Sequence, residues 1–167
     1  SLLGSGDLEV SFADQGVPVA EDGTFKITAY PDGPGLLLAT DNAGAAVLMS
    51  VVTGIAEGAA VRLDAHSTAL TLAFLFPGIT TSDPTEAAAV LAEMEGSDAF
   101  LEFRDLLTER LAEDPAALSV EDEDLSLAWQ DVIDAYFEKL IGTSKGGSRT
   151  DPESAPQGEI VVDPHEL

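Results

Sequence analysis

The chain has 167 residues, 45% of them hydrophobic, a size and composition that suit one compact domain with a tail. Asp and Glu total 31 against 7 Lys and Arg, giving a net charge of −24, which argues against nucleic-acid and anionic-membrane partners. The absence of cysteine excludes thiol catalysis, iron–sulfur clusters and cysteine zinc sites. No apolar run reaches the roughly 20 residues that a membrane-spanning helix needs, so we expect no membrane insertion.

The N-terminal part of the chain, residues 1–65, predicts about five short strands. Leu8, Val10 and Phe12 alternate with polar residues, which is the pattern of a half-buried strand. Turn residues separate this segment from four further predicted strands, at 24–30, 36–40, 45–52 and 60–65. Short strands with frequent turns are typical of an antiparallel sheet.

From residue 66 the apolar spacing changes to that of helices. Ser67 or Thr68 is predicted to cap a first helix that is apolar on nearly every face and therefore central and buried. Asp83, followed by Pro84 and by Glu86, predicts the start of a second helix. Third and fourth helices are predicted from residue 97 and from about residue 119. Their apolar stripes are Phe100, Phe103, Leu107 and Leu111, and then Leu125, Ala128, Trp129, Val132, Ile133, Tyr136, Phe137 and Leu140.

Together these patterns predict an α+β fold in which about four helices pack on an N-terminal antiparallel sheet. The β segment, 1–65, and the helical segment, 66–142, are expected to form one domain. Residues 143–167 are rich in Gly, Ser, Thr and Pro, which is the composition of a flexible linker. The strand-like residues 159–164 are typical of the start of a further domain.

Two segments carry a resemblance to known proteins. Residues 19–27, Val-Ala-Glu-Asp-Gly-Thr-Phe-Lys-Ile, are similar to the hairpin of carboxypeptidase-regulatory-like (prealbumin-type) modules in secreted bacterial proteins. Residues 61–70, followed by Pro77, resemble a pattern of uncharacterised bacterial surface or lipoprotein-like proteins. The resemblance implies a module without catalytic residues. We therefore expect an extracytoplasmic location, in the periplasm or at the cell surface.

Only at His66 and Ser67 does a histidine stand next to a hydroxyl residue. Such a pair acts as a nucleophile only if the imidazole reaches the hydroxyl and a carboxylate orients the ring. We expect instead that Ser67 caps the helix and that His66 lies in the turn before it. No Gly-x-Ser-x-Gly motif is present. The sequence therefore predicts no catalytic residue and a protein that is not an enzyme.

Metal binding has one candidate. The histidines, His66 and His165, are too few for a typical zinc site. Calcium prefers oxygen ligands, which Asp32, Asp41 and Asn42 offer in predicted turns. The acidic run 121–124 offers four further carboxylates. The competing interpretation is ordinary turn chemistry for the first three residues and a solvated helix start for the acidic run. We predict no cofactor, with calcium as the alternative.

The aromatic residues Trp129, Tyr136 and Phe137 either line a ligand groove or pack in the helical core, and their spacing favours the core. We expect a non-catalytic accessory or protein-interaction domain of a larger exported bacterial protein. Its partner would be a protein or another domain of the parent chain. The alternative is a small-ligand or calcium-binding module. Any site is expected in a groove between sheet and helices, near the loop 77–83.

Overall fold

The computed structural model describes residues 7–12, 15–27, 34–53, 61–75 and 83–145, with side chains to residue 141. Within these ranges an antiparallel sheet precedes four α-helices, which confirms the predicted α+β class. The strands are β1 (Glu9–Phe12), β2 (Gln15–Pro18), β3 (Gly35–Thr40) and β4 (Ala46–Val52). The helices are α1 (Ala65–Leu75), α2 (Pro84–Glu95), α3 (Asp98–Glu113) and α4 (Glu123–Lys145), with a 3₁₀ turn at Ala117–Ser119. No helix in the described residues is long and apolar enough to cross a bilayer.

The described sheet has four strands, in the order β2-β1-β3-β4, rather than the predicted five. Two predicted strands are wrong where they are described: residues 24–27 and 61–63 belong to no strand. Their apolar side chains pack against the sheet core, so burial and not strand pairing explains their alternation. The strand that the pattern missed is β2, a mostly exposed edge strand that contains Gly16 and Pro18. Proline is tolerated at an edge, where a backbone donor is not required.

One face of the sheet is buried, and its side chains form a hydrophobic cluster separate from that of the helices. Val10 lies opposite Ala39, and Phe12 opposite Leu37, so these four side chains share that face. Val19 and Ile27, from the segment after β2, cover it. The predicted turn between β3 and β4 is confirmed: the Asp41 carboxylate accepts the amide protons of Ala43 and Ala45 at 2.9 and 2.8 Å. Gly44 has a φ of 81°, a conformation that favours glycine.

The helices meet the sheet along the outer edge of β4. Thr68 and Thr71 on α1 are buried and accept the amide protons of Met49 and Val51, at 3.0 and 2.8 Å. Each threonine also donates its hydroxyl proton to the carbonyl four residues earlier in α1, at 2.7 Å. The Ser67 hydroxyl lies 3.0 Å from the carbonyl oxygen of Met49. Side-chain hydroxyls of α1 thus satisfy backbone groups that an edge strand leaves exposed.

The start of α1 corrects two predictions, because His66 lies in the helix and not in the turn before it, and because the cap is a different residue. Neither Ser67 nor Thr68 is the capping residue, because the helix begins at Ala65. Asp64 caps it and accepts the Ser67 amide proton at 2.8 Å, while the Ser67 hydroxyl accepts the amide proton of Asp64 at 3.0 Å. This reciprocal pair satisfies two backbone donors at the helix start. The predicted starts of α2 and α3 are confirmed: Asp83 accepts the amide proton of Thr85, and Ser97 accepts that of Phe100.

The helical core surrounds the small residues of α1. Ala69 and Ala73 have no exposed surface and pack with Phe100, Phe103 and other buried side chains from α2, α3 and α4. A third cluster joins Phe74 to Ala87 and Leu91 of α2, with Val51 of β4 against it. The prediction that α1 is central and buried is therefore confirmed.

The start of α4 depends on the carboxylate of Asp122. Its Oδ1 accepts the Leu125 amide proton at 3.0 Å, and its Oδ2 lies 2.6 Å from Nε of Arg110. The pKa of Asp122 is lowered, first by the hydrogen bond from the Leu125 amide and then by that from Arg110. At its other end α4 continues through Gly142 to Lys145, so the first three residues of the predicted linker are helical. The rest of that segment lies outside the described residues.

Replacing Thr71 by valine keeps the shape of the side chain but leaves the Val51 amide without its acceptor. We expect the free energy of unfolding to fall by about 1–3 kcal/mol. Urea denaturation measures this loss, and faster hydrogen exchange at the Val51 amide locates it. Thr108→Val is the matched control, because the exposed Thr108 hydroxyl donates to Arg104 four residues back and bonds no strand. A change within about 0.5 kcal/mol is expected for that control. Equal losses in the two variants would contradict the role of the β4 contact.

Replacing Asp122 by asparagine preserves a capping side chain but removes its ionisation. Because the native pKa of Asp122 is lowered, its charge stabilises the fold at neutral pH, and this contribution disappears as the pH falls through the native pKa. The wild type should therefore be more stable than Asp122→Asn at pH 7, and the difference should shrink on acidification. Urea denaturation over a pH series measures it. Asp124→Asn, which removes a charge without removing a cap, should give no comparable pH dependence. A difference independent of pH would refute this account.

Candidate functional site

His66 and Ser67 do not form a nucleophilic pair. The Ser67 hydroxyl bonds Met49 and Asp64, as described above. The His66 ring is not hydrogen-bonded to this hydroxyl. Its Nε2 lies 3.0 Å from Oε1 of Glu95, and it makes a T-shaped contact with the ring of Phe100, with centroids 5.5 Å apart. These contacts join the first turn of α1 to α2 and α3. The histidine thus stabilises the packing of three helices.

The calcium candidates are only partly described. Asp32 and His165 lie outside the described residues. Asp41 uses its Oδ1 to hold the turn between β3 and β4, and the Asn42 amide nitrogen lies 3.4 Å from the carboxylate of Asp7. In the described ranges no group of three or more His, Cys, Asp or Glu side chains could hold a metal ion. The described geometry is that of ordinary turns, and calcium binding stays a prediction.

The acidic run 121–124 divides into different roles. Asp122 is the cap of α4, and Asp124 lies 3.5 Å from Nη2 of the same Arg110. The hydrogen bond between Arg110 and Asp122 is the main cause of the raised pKa of Arg110, and the charges of Asp122, Glu113 and Glu109 add to it. Glu121 and Glu123 are exposed, and neither pairs with another described side chain. The run therefore combines two residues that contact Arg110, of which Asp122 also caps α4, with two solvated charges.

A cleft of about 220 Å³ opens beside this run, between α1, α3, the 3₁₀ turn and α4. Its residues are mostly apolar: Leu72, Phe103, Ala117, Leu118, Val120, Glu121, Asp122, Leu125, Ser126 and Trp129. We call it the Trp129 cleft. Phe103 is 1% exposed and Val120 is 61% exposed, so the former lies at the base and the latter at the rim.

Trp129 has a fixed place in this cleft. Its indole nitrogen lies 3.4 Å from the backbone carbonyl oxygen of Leu72, which ties α4 to α1. Of the aromatic residues predicted to line a groove or to fill the core, Trp129 lines the cleft and also packs against the helical core. The sequence pointed to Trp129 as a possible groove residue but not to the other apolar wall residues, such as Leu72, Phe103 and Leu125. Only the helical packing brings these residues together.

Tyr136 and Phe137 lie in different environments. Tyr136 is 9% exposed in the helical core, where burial is the main cause of its raised pKa and the charge of Glu93 adds to it. Phe137 is 42% exposed. From Phe137 to Ile141 every described side chain of α4 is exposed, so the predicted burial of Phe137 and Leu140 is wrong. The part of α4 after Tyr136 therefore lies beyond the packed core, to which earlier residues of the same helix contribute.

Three apolar residues, Phe137, Leu140 and Ile141, form what we call the α4 stripe. They are 42%, 43% and 58% exposed, and their spacing of three and four residues places them on one helix face. Lys139 pairs with Glu93 of α2 beside them. A second cleft, of about 260 Å³, lies between the sheet and residues 61–63. The groove predicted near 77–83 falls almost entirely outside the described residues.

Comparisons with known proteins give the chain no relatives. No protein family, no curated protein and no solved structure matches it. The resemblance of residues 19–27 to prealbumin-type modules therefore stays a prediction. The function has to be argued from the geometry of the chain itself.

Proposed function

We propose that the chain is a non-catalytic protein-interaction domain of a larger exported bacterial protein, and that the α4 stripe is its contact surface. The exposure of the stripe is the observation that carries this proposal. Its partner is a protein, or another domain of the parent chain, with an apolar groove and a basic rim. The exported location is supported only by the resemblances of residues 19–27 and 61–70.

The stripe has the form of a helix that binds in a groove. Apolar side chains at spacings of three and four residues are the anchors in that mode of recognition. Contiguous exposed apolar residues are a common mark of interaction sites, and aromatic anchors such as Phe137 contribute strongly to binding. The continuous helix keeps these anchors in register. Because the helix is already formed, binding would not require this segment to fold first.

The charge of the chain indicates the chemistry of the partner. With a net charge of −24, a second copy of the chain would be repelled, whereas a basic surface would be attracted. Glu138 is exposed beside the stripe, and Asp134 lies one turn earlier on α4. A groove rimmed with Lys or Arg would complement both acids. The anchors would then set affinity, and the acids would speed association.

The test begins with a photo-crosslinking residue at position 137 or 141, introduced into the chain in the cells that naturally make it. We expect one discrete crosslinked product, and none from position 131, which is exposed on a different face of α4. Mass spectrometry identifies the partner. Calorimetry with the purified partner then measures affinity.

Phe137→Asp should weaken this binding about tenfold or more, because it removes an aromatic anchor. It should lower stability only moderately, since the side chain is 42% exposed and its main ring contact is with the neighbouring Tyr136. Leu127→Asp is the matched control: Leu127 is 60% exposed on the same helix but lies outside the stripe. Binding by this control should equal that of the wild type. The proposal fails if positions 137 and 141 give no crosslinked product, or if both variants weaken binding equally.

A further inference from the structure

The Trp129 cleft combines an apolar interior with an acidic rim. Leu72, Phe103 and Leu125 belong to three different helices and contribute apolar walls. Such walls bind a ligand through the apolar area that it removes from water. The rim carries Glu121 and Asp122, which would not attract an anion. The two features together select a ligand with an apolar body and a positive charge.

The size of the cleft limits the ligand to a small molecule. A cavity of roughly 150 Å³ with apolar walls is large enough to hold one benzene ring. The Trp129 cleft, at about 220 Å³, has room for one such ring and a short chain. Most drug-sized ligands need clefts of at least about 300 Å³, so a larger molecule would protrude from this one.

Glu121 carries the charge that a ligand would meet. The Asp122 carboxylate is already occupied by Arg110 and by the Leu125 amide. Arg110 also reaches Asp124 at 3.5 Å and Glu113 at 4.0 Å. Glu121 lines the cleft and pairs with none of the described side chains. An ammonium group at the rim would therefore find one carboxylate that no guanidinium neutralises.

We propose that the Trp129 cleft binds a small organic ammonium ion, with its apolar body among Leu72, Phe103 and Trp129 and its charge beside Glu121. The site is separate from the α4 stripe, because it lies at the opposite end of α4. The proposal for the cleft and the proposal for the α4 stripe can therefore be refuted independently. Binding here would add a ligand to the interaction domain proposed above.

Trp129 is the only tryptophan of the chain, so its fluorescence reports on this cleft alone. We would titrate the full chain with phenethylamine, with phenethyl alcohol as the neutral analogue and hydrocinnamate as the anionic one. The amine should shift the fluorescence in a saturable way within about 10 mM, the range of weak small-ligand affinities. It should bind about three to five times more tightly than the alcohol, which is the scale of a partly exposed ion pair. Hydrocinnamate should bind most weakly, and added salt should narrow these differences.

Two variants locate the site. Glu121→Gln should make the affinities for the amine and the alcohol equal, whereas Glu123→Gln, an exposed neighbour that does not line the cleft, should keep the preference. Ala117→Leu should fill part of the cleft and weaken all three ligands about tenfold, the scale of losing an apolar contact. If Ala117→Leu does not fold, the glutamine pair still decides. The proposal is overturned if the amine causes no saturable change, if the alcohol binds as tightly as the amine, or if the two glutamine variants behave alike.

Discussion

The arrangement of the whole domain depends on the hydroxyl groups of α1. Thr68 and Thr71 each donate to the helix and accept from β4, so one buried atom completes hydrogen bonds in both kinds of element. Because an unsatisfied buried amide is costly, these hydrogen bonds fix the position of α1 along β4 to within one residue. The other helices pack around α1, and the sheet extends from β4 on the other side. Sheet and helices are thus positioned relative to each other by a few polar contacts at an edge.

The small side chains of α1 complement this polar face. Ala69 and Ala73 have no exposed surface, and they allow the aromatic rings of Phe100 and Phe103 to lie close to the helix backbone. Phe74 extends instead toward Ala87 of α2. One short helix therefore presents hydroxyls to the sheet, methyl groups to α3 and a ring to α2. Its sequence looks apolar on nearly every face because the sheet, α2, α3 and α4 all pack against it.

The sequence predicted four helices correctly, because caps and apolar spacing are local signals. Two starts were misplaced: α1 begins at Ala65, before the predicted cap, and α4 begins at Glu123 rather than at about residue 119. Asp83 with Pro84, and Ser97 before α3, both start helices where expected. The strands were harder to predict, because the alternation at 24–27 marks burial against the sheet rather than pairing, while β2 has almost no apolar pattern. Only the α4 side of the Trp129 cleft could be predicted, because Trp129 and Leu125 share a face of that helix. Leu72 and Phe103 lie beside them only as a result of tertiary packing. Exposure of Phe137 was missed because a periodic stripe does not reveal where the packed partner ends.

The hydroxyl contacts of α1 also hinder the addition of another strand at the β4 edge of the sheet. A foreign strand that approached β4 would have to displace Thr68 and Thr71 from the amides of Met49 and Val51 before it could pair. At the other side of the described sheet, β2 ends in Pro18, which has no amide proton to offer. Strand addition is therefore hindered at both sides, by a helix at one and by an imino acid at the other. Copies of a domain built in this way can be crowded together without their sheets joining edge to edge.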